Sequence, residues 1–202
     1  DYKQELKWFT LAAEQGEMDA QYNLGVMYSD GRVVTQDYKQ ALKWFTLASE
    51  QGELGAQQKL CSMYLYGQRV SQDYKKAFKW CSLAAEQGSA SAQKNLGIIY
   101  YYAYSVPRDY EKAIKWYTLA AKQGDASAQN NLGYMYKNGQ GVTQDYKQAV
   151  KWYTSAAEQG DLVGQLQLAN MYGKGQGVIQ DDKKAFELFT LAAEQGNASA
   201  QG

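Results

Sequence analysis

The chain has 202 residues, with 21 Lys and Arg against 21 Asp and Glu, no His and two Cys. Zero net charge offers no basic excess for nucleic acid and no polybasic run for a membrane surface, and no apolar run nears the roughly 18 residues that would span a bilayer. Without His, and with so few Cys, the usual zinc sites and imidazole-activated nucleophiles are excluded, no cofactor motif is present, and a small disulfide scaffold is not described.

What the chain has instead is a period. Asp37, Asp73, Asp109 and Asp145 each open nearly the same text, 36 residues apart with no insertion; Asp1 opens another copy and Asp181 a shortened one. Self-similarity at a fixed period predicts copies that bury their faces on one another. Within a copy two helical patterns alternate. Ala41, Trp44, Phe45 and Ala48 fall on one helical face, with Asp37 placed to cap the start and Gly52 to end it. This is the B pattern. Ala56, Leu60, Met63 and Tyr64 make the A pattern, entered at Glu17, Glu53, Ser89, Asp125, Asp161 and Asn197 and ended near Gly31, Gly67, Gly139 or Gly175. Short loops carrying Val34, Val70, Val106, Val142 or Val178 make A and B antiparallel.

In chain order the elements are an orphan helix (1–15), five A–B hairpins (17–51, 53–87, 89–123, 125–159, 161–195) and a stub (196–202), with no strand. The chain opens and stops inside a repeat, so it reads as one continuous array cut from a longer protein, whose compartment is not legible. Cut ends expose apolar stacking faces, and end-to-end self-association is expected.

Columns that hold the same residue in every copy are structural. Leu24, Leu60, Leu96, Leu132 and Leu168 make one; Tyr28, Tyr64, Tyr100, Tyr136 and Tyr172 make another; the Trp column (Trp8, Trp44, Trp80, Trp116, Trp152) is expected between repeats. Gly25, Gly97 and Gly133 lie in mid-helix A, where Gly costs about 1 kcal/mol relative to Ala. Close approach of helix B, with the Ala41, Ala77 and Ala149 column opposite, is the expected compensation.

The spacing A-x-x-x-L-G-x-x-Y, then G-x-G-V at 139–142 and 175–178, then D-Y-x-x-A-x-x-W-x-x-x-A-A-x-x-G, resembles the Sel-one-like repeat (SLR) family, related to the tetratricopeptide repeats. The resemblance covers the whole chain. It implies an all-α, right-handed superhelix (a solenoid) of 36-residue helix-turn-helix repeats. It also implies a non-catalytic scaffold or adaptor that binds a protein or peptide on a concave helix-A face. A cysteine-rich secreted branch of that family joins a Cys near the start of helix A to one near the end of helix B. Here those places hold Gln21, Gln57 and Gln93, and Ser49, Ala85 and Ala121, so the chain departs from that branch.

Function is expected where copies disagree. By the resemblance the inward columns hold Tyr22 and Val26, then Gln58, Leu65 and Tyr66, then Lys94, Ile98, Tyr101 and Tyr102, then Asn130, Tyr134, Lys137 and Asn138, then Leu166. Tyr is favoured at interface anchors because it combines large contact area with few rotors. The sharpest break is Tyr101–Arg108, YYAYSVPR, where Ala103 replaces the loop Gly, Pro107 stiffens the entry to the next helix, and Tyr101, Tyr102 and Tyr104 form an expected aromatic patch.

Cys61 stands where other copies have Gly or Ala, and Cys81 where they have Phe or Tyr. Volume compensation across the A–B contact is one account; a disulfide, which needs Cα atoms within about 7 Å, is the other.

Two rival functions are thinly supported. Ser91–Lys94 matches the S-x-x-K of serine β-lactamases, but the same columns read DAQY, GAQQ and SAQN elsewhere, and no S-D-N or K-T-G accompanies it. Lys94, Lys137 and Lys174 are the whole basis for a helical-repeat RNA binder, so no nucleic acid is expected. Glu14, Glu50, Glu86, Glu158 and Glu194 recur as a solvated outer face, and Asn197-Ala198-Ser199 is a glycosylation sequon only in a secreted eukaryotic chain.

Overall fold

A computed structural model describes the backbone of residues 2–31 and 34–200, and side chains within residues 4–195. Its helices are α1 (Tyr2–Glu14), α2 (Met18–Asp30), α3 (Tyr38–Glu50), α4 (Leu54–Tyr66), α5 (Tyr74–Glu86), α6 (Ala90–Tyr102), α7 (Tyr110–Lys122), α8 (Ala126–Asn138), α9 (Tyr146–Glu158), α10 (Leu162–Lys174) and α11 (Asp182–Ala200). There is no strand among the described residues. None of these helices is long and apolar enough to cross a membrane. Two compact units divide the chain: residues 1–99 with 104–106, and 100–103 with 107–202.

The helix ends form where the sequence places them. Asp37 and Asp73 accept backbone N–H bonds from the two residues at the first turn of α3 and α5, and Asp109, Asp145 and Asp181 each accept one at the same place. The Lys76 N–H, and secondarily its ammonium, hold the Asp73 carboxyl below the usual range; the Lys112 N–H and ammonium do the same for Asp109. Each B helix before α11 ends in a glycine at positive φ (Gly16, Gly52, Gly88, Gly124, Gly160), and the next N–H reaches back five residues to an Ala carbonyl, a Schellman closure. Each A helix returns to the next cap through one bond: the cap Asp N–H donates to the carbonyl of the Tyr column, as in Asp73 to Tyr64 at 3.0 Å.

In the first unit α2 packs on α1 and α3, and α4 on α3 and α5. In the second, α8 packs on α7 and α9, α10 on α9 and α11, and α8 also touches α10. The invariant leucines are buried, with Trp44 and Trp80 beside them; Trp8 in α1 is exposed.

The mid-helix glycines are explained, by a different neighbour from the alanine column. A Cβ on Gly25 would come within 2.7 Å of the Phe45 ring, and one on Gly133 within 2.6 Å of the Tyr153 ring. The aromatic residue of the next B helix lies flat against the bare backbone, and each ring is fully buried. Between α4 and α5 the same two positions are Cys61 and Cys81, joined as a disulfide with Cα atoms 4.8 Å apart.

The last hairpin departs from expectation. Other copies turn at the glycine after helix B, whereas α11 runs through Gly196 to Ala200 without a break. The Asn197 cap and the sequon concern side chains outside the described residues.

Candidate functional site

A buried glutamine column, unused in the sequence reading except as a departure from the cysteine-rich branch, joins the hairpins. Gln21, Gln57, Gln93 and Gln129 each enter an A helix buried, and each Nε2 donates to the carbonyl eight residues earlier, at the end of the preceding B helix (Ala13, Ser49, Ala85, Ala121; 3.1–3.2 Å). A second glutamine closes the joint from the next repeat. Gln51 Nε2 donates to Gln21 Oε1 at 2.8 Å and to the Gly16 carbonyl, and Gln87 does the same to Gln57 Oε1 and Gly52. In the second unit Gln159 Nε2 donates to Gln129 Oε1 at 2.8 Å. The signal was an invariant polar residue inside an apolar helix face.

The columns expected to face a ligand are in part consumed by ties between successive A helices. In the first unit Gln58 Nε2 donates to Ser89 Oγ at 2.7 Å, and the ring of Tyr22 packs against Gly55, where a Cβ would sit 2.9 Å from it. Burial raises the Tyr22 phenol, helped by the nearby Glu53 and Asp30 charges. In the second unit Asn130 Nδ2 donates to Asp161 Oδ1 at 2.6 Å, and Lys137 Nζ to Gln167 Oε1 at 3.2 Å. Burial, then the Lys174 charge, lowers the Lys137 ammonium, so Lys137 is a structural donor. Asn138 caps its own helix by donating to the Tyr134 carbonyl.

Leu65 is a correction: it is 2 % exposed and belongs to the core. The tyrosines of the YYAYSVPR segment make ring contacts within their own units. Tyr104 stacks on Tyr74, centroids 4.3 Å apart. Tyr101 is half-buried, packs on Tyr102 and Tyr110, and donates its hydroxyl to Gln140 Oε1 at 2.8 Å. Burial raises its phenol. Val26, Lys94, Ile98 and Leu166 are partly buried. Ser91 Oγ lies 3.2 Å from Ser89 Oγ at the start of α6, a helix-entry contact.

The large apolar side chains that stay open on the A helices are Tyr66, Tyr102 and Tyr134, with Leu162 and Val163 at the start of α10. In the first unit Tyr66 is 47 % exposed while its hydroxyl is pinned to Asn95 Oδ1 at 2.8 Å; Asn95 is buried and its Nδ2 contacts Cys61 Sγ. In the second unit Tyr102 and Tyr134 are comparably open. Beside α4 lies a cleft of about 360 Å³, reached from Ser29, Asp30 and Arg69.

The Sel1 repeat matches at residues 6–17, 19–53, 55–89, 90–125, 126–161 and 162–197. Among solved structures, the chain is similar to c5321, a protective antigen present in uropathogenic Escherichia coli strains that displays an SLR fold. Identity is 45 % and the TM-score 0.90, over 100 % of this chain and 43 % of that one, so the chain spans less than half of that relative. A Sel1 repeat protein from Oxalobacter formigenes is 34 % identical, with a TM-score of 0.81 over 96 % of this chain and 80 % of its own. A putative Sel1 repeat protein from Klebsiella pneumoniae subsp. pneumoniae shares the fold, with 22 % identity and a TM-score of 0.58 over 96 % of this chain and 94 % of its own. No protein of curated function matches. With six repeats matched between residues 6 and 197, the chain belongs to the Sel1 repeat family.

Proposed function

We propose that the chain is a scaffold that holds a segment of a partner protein on the A-helix surface of its hairpins. Sel1 repeat proteins are in general non-catalytic and bind other proteins, which supports the reading. The observation that carries it is Tyr66: a ring half open to solvent whose hydroxyl is fixed from below by a buried Asn95. A large apolar face held in one orientation loses little entropy on binding, and such aromatics dominate interface energetics. Tyr134, equally exposed on α8, gives the second unit an anchor of the same kind.

The test is selection of binders from a displayed library of random peptides, followed by affinity measurement on Tyr66→Ala and Tyr134→Ala. Each substitution is expected to weaken the peptides selected on its own unit by about 2 kcal/mol, the scale of an interface anchor, with the thermal midpoint nearly unchanged. A library that yields no binder for the intact chain, or binders indifferent to both substitutions, sinks the reading.

A further inference from the structure

We propose that the cleft beside α4 receives an acidic side chain, Asp or Glu, from the bound partner segment; this rests on the scaffold reading above and names its chemistry in the first unit. The walls are Tyr38 and Phe45 from α3 and Met63 from α4, and the charges are Lys59, Arg69 and Asp30. Two cations against one carboxylate leave the cleft positive, in a chain whose overall charge is zero. Among the described residues neither Lys59 nor Arg69 makes a salt bridge.

Both cations are departures from the repeat. At the position of Lys59 the other copies carry amides: Asn23, Asn95, Asn131 and Gln167. At the position of Arg69 they carry Val33, Ser105, Gly141 and Gly177. The backbone there is left-handed, with φ 67° at Arg69 and 64° at Ser105, against 73° and 75° at Gly141 and Gly177. Glycine is the natural occupant of that conformation. Arginine holds it under strain, and its guanidinium carbon lies 4.6 Å from the centre of the Tyr38 ring. A guanidinium stacked by its face keeps its N–H fork directed outward in the plane, the geometry that meets a carboxylate with two hydrogen bonds. The second copy has thus acquired two charges at one cleft, one of them against the local preference of the backbone. The partly open Tyr38 ring accepts the aliphatic part of a Glu, while Phe45 and Met63 are buried.

The strain makes the experiment clean. Arg69→Gly removes the charge and relaxes the backbone, so the thermal midpoint is expected to hold or rise; Lys59→Asn restores the amide of the other copies. Peptides selected from a displayed random library on the intact chain are expected to show Asp or Glu enriched at one fixed place. On the double variant Lys59→Asn/Arg69→Gly those peptides should bind at least tenfold more weakly, and a fresh selection should lose the acidic preference. Glu→Gln in the peptide should cost as much on the intact chain and nothing on the double variant. Peptides with no acidic preference, or equal binding to both proteins, overturn the cleft assignment; if Tyr66→Ala still weakens those peptides, the scaffold reading survives. If the intact chain selects no peptide, both fall. Tighter binding of a single-stranded RNA oligonucleotide than of any selected peptide, lost on the double variant, would also overturn the proposal.

Discussion

Tyr153 carries a hydroxyl that is fully buried and has no hydrogen-bond partner, and burial drives its phenol well above the usual range. The ring is needed there, because it covers Gly133; the oxygen is not, because Phe45 fills the same role against Gly25. Tyr153→Phe is therefore expected to stabilise the protein by about 1 kcal/mol, read as a rise in the denaturation midpoint. Residue identities of this kind were partly legible in the sequence. Gly25 and Gly133 announced close packing, since a helix-interior glycine repeated in several copies needs compensation. The ring that supplies it was not legible, because twenty residues separate the partners, as Cys61 and Cys81 are separated, and no helical period links them. Leu65 failed for a related reason. Its counterparts Ser29, Tyr101, Lys137 and Gly173 differ so much that the column looked exposed. Burial varies with residue type there, and the second copy simply buries its leucine.

Between elements, the disulfide joining α4 to α5 occupies the place where α2 meets α3, and α8 meets α9, through a glycine and a ring. The two solutions fill one space, so they should be exchangeable as pairs. Cys61→Gly with Cys81→Phe is expected to fold, and to unfold at a midpoint unaffected by reductant. Cys81→Phe alone presses a ring onto the Cys61 side chain, and overpacking of this kind costs about 1–3 kcal/mol. For the unaltered protein, a reductant should lower the midpoint by the equivalent of about 2–4 kcal/mol; equal midpoints with and without reductant would show the thiols unbonded. The departure at both columns in one hairpin was visible in the sequence, but volume compensation and covalent linkage predict the same departure. Only the 4.8 Å Cα separation divides them. The A-helix surface was misjudged at this scale too. Gln58, Asn130 and Lys137 vary because each answers a particular partner at the start of or on the next A helix, Ser89, Asp161 and Gln167 respectively.

Across the whole chain, stability follows from joints between neighbours. Removing Gln57 breaks two hydrogen bonds, its own to the Ser49 carbonyl, which keeps the Gly52 N–H, and the one it accepts from Gln87, each worth about 1 kcal/mol. Gln57→Ala is expected to lose roughly 2 kcal/mol by denaturant titration. In hydrogen exchange the lost protection should be confined to α3, α4 and α5, with α8 to α10 unaffected, since repeats contact only their neighbours. Uniform loss along the chain would contradict that picture. The period, the helix ends and the caps could be read in advance, because identical copies restate the same local rule. The surface could not, because each copy answers its own neighbours.

The glutamine joint has one more implication. Its parts recur at the same 36-residue interval as the helices they fasten, so a module carries both halves of its own coupling, although the side chain of Gln165, the last of the column, is buried without a hydrogen bond. A genetic duplication or deletion of one module would leave matched ends on either side of the splice. Length, in such a lineage, is free to drift by whole units while the chemistry that recognises a guest is rewritten copy by copy.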